Sequence, residues 1–128
     1  MSELRRIMHV EDDPSIQTVA RVALEAVGGF EVCTCSGGQE ALDRFESFAP
    51  QLILLDVMMP TMDGPSTLRN LQQQFDLTKI PVVFMTAKVQ TNEIESYKAL
   101  GASDVVVKPF DPMKLSEQIH GIWLSHQQ

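Results

Sequence analysis

The chain lacks the residues that would let it be stapled, inserted into a bilayer or wrapped on nucleic acid. Of its 128 residues only two are cysteines. Cys33 and Cys35 form a lone C-x-C in a strand-like segment, with no second pair to complete a zinc site. A disulfide framework is therefore excluded, and both thiols are expected reduced and partly buried. No apolar run approaches the ~20 residues of a transmembrane helix. The Met1 to Arg6 start lacks the apolar stretch of a secretory signal, so a cytoplasmic protein with no membrane insertion is expected. Basic residues are also in deficit, 10 Lys and Arg against 17 Asp and Glu, for a formal charge of −7. That balance disfavours polyanions, and no direct nucleic-acid contact is expected. Repeats, linkers and low-complexity tails are missing too. With 44% hydrophobic residues the chain reads as a single domain, 1–128, able to bury its own core and carrying no output domain.

What is present is a series of short apolar runs that end in chemistry. Leu52 to Leu55 reads as a fully buried strand closed by Pro60 and Gly64, and it terminates in Asp56. A carboxylate at such a tip is costly unless it meets solvent, a metal or a cation. A turn or helix-cap aspartate is the plainer alternative. Ile7 to Val10 is a strand ending in Glu11-Asp12-Asp13, after which Asp13 caps a helix from Pro14 to Val27 with Ile16, Val19, Ala20, Ala23, Leu24 and Val27 as its apolar stripe. Gly28-Gly29 stops it. His9 within the strand reads as a hydrogen-bonded core histidine rather than a catalytic one.

Phe30 to Thr34 is β-rich, and Ser36-Gly-Gly-Gln39 resembles a capping box opening a helix through Ala41, Leu42 and Phe45. After Gly64, Pro65 opens a third helix carrying Leu68 and Leu71, which fades in the solvated Gln72 to Gln74. Ile80 to Met85 is a strand ending in Thr86-Ala87-Lys88. A helix over Thr91 to Leu100 follows, stopped by Gly101. Asp104 to Val107 is the last strand, ending in Lys108-Pro109-Phe110. Asp111 and Pro112 then open a final helix with Leu115, Ile119, Ile122 and Trp123 as its stripe. Short strands alternating with helices argue for right-handed βαβ units on a parallel sheet with helices on both faces.

In such a sheet all strand ends point to one edge, where ligands bind. Glu11, Asp12 and Asp56 with Thr86 and Lys108 would meet there. Three carboxylates repel, and a hard divalent cation relieves that repulsion through oxygen ligands. Mg²⁺ is expected, because it keeps waters and takes few carboxylates, which suits an open acidic cluster.

These residues carry a resemblance. Val10-Glu-Asp-Asp13, Leu55-Asp-Val-Met-Met-Pro60 with Met62-Asp-Gly64, Met85-Thr-Ala87 and Lys108-Pro-Phe110 stand in the order and spacing of the response-regulator receiver domain (CheY-like) of bacterial two-component signalling systems. The resemblance covers nearly the whole chain. It implies a flavodoxin-like (βα)5 three-layer α/β sandwich with a parallel five-stranded sheet in order 2-1-3-4-5. Asp56 would be the phosphoacceptor, taking a phosphoryl group from a sensor histidine kinase, a phosphotransfer protein or a small acyl or amido phosphate. Glu11, directly or through a water, Asp12, Asp56 and the Met58 carbonyl would hold Mg²⁺. Thr86, the Ala87 N–H and Lys108 would bind phosphoryl oxygens. A cis Lys108–Pro109 bond is also implied.

The family moves its threonine toward the phosphate and turns in an aromatic three residues before the lysine, on a face of the fourth helix, last strand and last helix that meets a downstream protein. Here the threonine is Thr86 and the aromatic position is Val105, which has no ring to swing. Tyr97 is the nearest aromatic that could substitute; a half-buried packing role is the alternative. Met58 and Lys88 flank the pocket at positions that vary in the family. Two rivals stay open: a receiver-like binding module that is not phosphorylated, and an aspartate-nucleophile phosphohydrolase of the haloacid-dehalogenase type. The second usually carries another Asp two residues after the first, where this chain has Met58.

Overall fold

The computed structural model describes residues 3–87 and 89–127. Five strands form one parallel sheet in the order β2-β1-β3-β4-β5. In chain order the elements are β1 (Arg6–Val10), α1 (Pro14–Val22) running into a π-helical turn (Ala23–Val27), β2 (Glu31–Cys35), α2 (Gly38–Phe48), β3 (Leu52–Asp56), α3 (Gly64–Gln74), β4 (Val82–Thr86), α4 (Thr91–Ala99), β5 (Asp104–Val107) and α5 (Leu115–His126). This is the expected α/β arrangement, and each predicted strand is present with ends moved by at most two residues.

The sheet is covered on both faces, so its central strands are apolar throughout. β3 and β4 are buried at every position. Because side chains alternate across a strand, one set of core residues faces α2, α3 and α4 (Met8, Val10, Ile53, Leu55, Phe84 with Leu42, Phe45, Leu68, Leu71 and Tyr97). The other faces α1 and α5 (Ile7, Leu54, Met85, Val106 with Ala20, Leu24, Ile119 and Trp123). Cys33 and Cys35 are reduced and fully buried on the α2 side, their Sγ atoms 3.9 Å apart.

Several local expectations are corrected. The first helix keeps its span but ends in the π turn, and only Ala20, Ala23 and Leu24 of the expected stripe are buried. Val19 and Val27 are exposed, since the wider turn rotates the helix end and Val19 sits at the rim. At α2 the N-cap is Gly37, and Glu40, not Gln39, reaches back to the Ser36 N–H at 2.8 Å. The motif is shifted by one residue because Gly37 adopts the extended backbone of a cap. In the last unit Asp111 does not cap α5. Its carboxylate accepts from the Met113 N–H (2.9 Å) and its carbonyl from Lys114 and Leu115, making a separate turn before the helix begins at Leu115. His9 is fully buried, but neither ring nitrogen has a hydrogen-bond partner among the described residues. It lies in register between Thr34 and Leu54, where neighbouring backbone groups are already used by the sheet.

Candidate functional site

The carboxyl ends of β1, β3, β4 and β5 deliver the chemistry to one cleft of about 270 Å³, lined by Glu11, Asp12, Asp13, Ile16, Asp56, Met58, Thr86, Ala87 and Lys108. Parallel pairing sets the depth of each contributor. Glu11 N–H donates to the Cys35 carbonyl (2.9 Å), Val57 N–H to Met85 (3.1 Å) and Lys108 N–H to Thr86 (2.9 Å), so the ladder continues one step past each strand before the chain turns away. The turns are fixed locally. Asp13 caps α1 as expected, accepting from the Ser15 and Ile16 N–H groups. Asp63 caps α3 by accepting from Ser66 at 2.8 Å. Gly64 packs so closely under the end of β3 that a Cβ there would meet the Asp56 carbonyl oxygen at 2.5 Å. No other residue fits without moving Asp56.

Charge is concentrated in the cleft. Lys108 Nζ lies 2.6 Å from Asp56 Oδ1 and 2.9 Å from Glu11 Oε1. Carboxylate oxygens of Glu11, Asp12 and Asp56 lie within 4.8 Å of one another. Glu11 and Asp56 are buried while Asp12 is exposed. Burial pushes the Glu11 and Asp56 carboxyls above the usual range, and the Lys108 ammonium offsets this only in part. Burial pulls Lys108 down, but its bonds to Asp56 and Glu11 outweigh that and leave it raised. Among the described residues one ammonium thus faces three acids. An all-oxygen donor set at this spacing, with surplus negative charge, fits a hard cation such as Mg²⁺.

The expected site residues converge. Glu11, Asp12, Asp56, Met58, Thr86, Ala87 and Lys108 line the same cleft, and the Lys108–Pro109 bond is cis. Val105 stands apart, partly buried against the α4-side core beside Phe84 and Tyr97. The Tyr97 ring meets Phe84 edge-on at 5.1 Å. Lys88 lies outside the described residues. Sequence reading overlooked Gln17, whose side-chain amide donates to the Glu11 carbonyl at 2.5 Å and so pins the acidic turn. Its only signal was its place one helical turn after the Asp13 cap. Also overlooked was an adjoining apolar cleft of about 390 Å³ between α1 (Ile16, Val19) and Pro109-Phe110, opening beside Lys108 and Ala87.

Known proteins share both sequence and shape with this chain. The alkaline phosphatase synthesis transcriptional regulatory protein PhoP of Bacillus subtilis (strain 168) is 36% identical over 118 residues, covering 92% of this chain and 48% of that protein. A probable transcriptional regulator ycf27 of Porphyra purpurea is 35% identical over 121 residues, 94% of this chain and 48% of that protein. The chain therefore spans about half the length of these relatives. The chemotaxis response regulator CheY4 of Vibrio cholerae superimposes with a TM-score of 0.86 at 28% identity, over 94% of this chain and 99% of that one. The profile of the response regulator receiver domain matches residues 7–120, and with the strand order and the converging strand ends this chain belongs to that family.

Proposed function

We propose that the chain is a phosphorylation-activated signalling switch in which Asp56 accepts a phosphoryl group from a sensor histidine kinase or a phosphotransfer protein. The observation that carries this reading is the meeting of Asp56 with Lys108 at 2.6 Å and with the Glu11 and Asp12 carboxylates within 4.8 Å. Glu11, Asp12, Asp56 and the Met58 carbonyl would hold Mg²⁺, which when bound supplies charge neutralisation for an incoming phosphoryl group. Phosphoryl transfer asks the protein chiefly for positioning and electrostatics. The Asp56 carboxylate is the nucleophile: an Asp56–phosphorus bond forms as the bond to the donor nitrogen or oxygen breaks. Lys108 offsets part of the cost of burying the Asp56 carboxylate and then pairs with a phosphoryl oxygen. Thr86 and the Ala87 N–H bind the remaining oxygens. The chain is thus a phosphoacceptor rather than a turnover enzyme.

The phosphoryl group adds about −1.5 to −2 charge. Bonds to Thr86 and Lys108 at about 1.5–3 kcal/mol each give about 3–6 kcal/mol of bias, against about 5.5 kcal/mol for a nearly complete population swing. Such a switch operates with little margin. Its readout passes through Thr86 and the face of α4, β5 and α5, where Leu100, Val107 and Leu124 are exposed and a downstream protein would dock. With Val105 lacking a ring, Tyr97 on Phe84 is the aromatic left to report on β4. The apolar cleft between α1 and Phe110 would take the helical surface of the phosphodonor, because it shares Ile16, Ala87 and Lys108 with the cleft that holds Asp56. The relatives are named transcriptional regulators; the charge of −7 argues that the receiver itself does not contact nucleic acid.

The test is incubation with acetyl phosphate and Mg²⁺ followed by intact mass. The wild type gains one phosphate and Asp56→Asn gains none. No gain in the wild type would favour a binding module that is not phosphorylated, and sustained turnover of many phosphoesters would favour the hydrolase.

A further inference from the structure

We propose that Met58 is an oxidation site through which peroxide shortens the lifetime of the phosphorylated state, an inference that rests on Asp56 being the phosphoacceptor. Met58 is 71% exposed, whereas its neighbour Met59 is 8% exposed and Met8 and Met85 are fully buried. It also lines the cleft that holds Asp56, Thr86 and Lys108. Met113 is equally exposed but lies in the turn before α5, outside that cleft, and so serves as an internal control. An apolar side chain left in water beside buried carboxylates adds little to packing. Its conversion to a polar group therefore leaves the fold intact, unlike oxidation of Met8 or Met85.

The chemistry balances with hydrogen peroxide as the oxidant. The thioether sulfur attacks one peroxide oxygen, the O–O bond breaks, an S–O bond forms and the second oxygen leaves as water. Sulfur loses two electrons and peroxide gains them. The product is a sulfoxide, polar and reversible by methionine sulfoxide reductases. At Met58 the new oxygen is a hydrogen-bond acceptor at the cleft mouth, where the thioether holds water only weakly. Water is the reagent that hydrolyses an acyl phosphate, so holding it there speeds loss of the phosphoryl group.

The full chain is exposed to graded hydrogen peroxide and oxygen addition is located by peptide mass spectrometry. It is then loaded with acetyl phosphate and Mg²⁺, and the decay of the phosphorylated mass is followed. Met58 and Met113 oxidise before the buried methionines. The phosphorylated state of oxidised wild type decays about fivefold faster, the effect of one hydrogen bond of ordinary net strength, and sulfoxide reductase restores the original decay. Met113→Leu retains the full peroxide response. Met58→Leu has the same decay before and after peroxide, whatever its own starting rate. The proposal is overturned if Met58 oxidises without changing the decay, if buried methionines react first, or if Met58→Leu still responds. Failure of unoxidised protein to take up phosphate would sink the Asp56 reading and this inference with it; normal uptake with an unchanged decay sinks the inference alone.

Discussion

His9 occupies a place in β1 where an aliphatic side chain would cost nothing. It is fully buried, and among the described residues neither ring nitrogen is hydrogen-bonded. Burial, assisted by the nearby positive Lys108, pulls its pKa from 6.5 down to about 4. Between those values the unfolded chain binds a proton that the folded chain does not, so stability falls as pH falls through that window. The full effect is about 3 kcal/mol. Urea titrations at several pH values between 7 and 4 should show it as a difference between wild type and His9→Leu that grows with acidity. A constant difference would mean His9 is not held neutral. Taking the difference matters, because Glu11 and Asp56 shift the other way: their raised pKa values favour the folded state as they protonate. Thr61 is a second costly residue, a β-branched side chain at φ 69° in the loop between β3 and α3. Thr61→Asn, which tolerates that conformation, should raise the unfolding free energy by about 1 kcal/mol.

Among the elements, the helix ends show how local chemistry holds the frame of the site. Asp13 ties off α1 while standing next to the acidic pair. Asp13→Ala should cost about 1 kcal/mol without preventing phosphorylation, which denaturant melts and the mass assay would check together. α2 ends on Ala49 in the left-handed region, φ 55°. Its last carbonyls are served by the Arg6 guanidinium, which hydrogen-bonds the Phe48 carbonyl, lies 4.3 Å over the Phe48 ring and pairs with Glu31. Glycine suits such a position, so Ala49→Gly should stabilise by about 1 kcal/mol in the same melts. α4 is bound least: none of its residues is fully buried, and its contact with the core runs through Tyr97 and Phe84. Comparing free and beryllofluoride-bound protein, α4 and Thr86 should move; if neither does, the switch reading is wrong.

For the whole molecule, a cation at the cleft would link folding to binding. A cation held only by the folded chain adds about 2.7 kcal/mol at a hundredfold excess over its dissociation constant. Mg²⁺ should therefore raise the melting temperature and a chelator reverse it. Asp12→Asn and Asp56→Asn should blunt the rise. An equal rise in both variants would place the cation elsewhere.

Local order was legible because it is written locally. The apolar strand runs, the Asp13 cap, the Gly29 and Gly101 stops and the carboxylate or amine at each strand end follow from neighbouring residues. A parallel sheet then obliges all those ends to share an edge. Less legible were boundaries where two caps compete over one or two residues, as at Gly37 against Ser36, and at Asp111, where a turn intervenes before Leu115. The strand order came from family likeness, not from periodicity. The sequence by itself determined which groups reach the common edge and that acids outnumber bases there. Only the tertiary structure decided that Lys108 bridges Asp56 and Glu11 at once, that Val19 faces water, that His9 finds no hydrogen-bond partner among the described residues and that Met58 stands at the mouth of the cleft. Each of those depends on packing between residues far apart in the chain, and no local pattern encodes such distances.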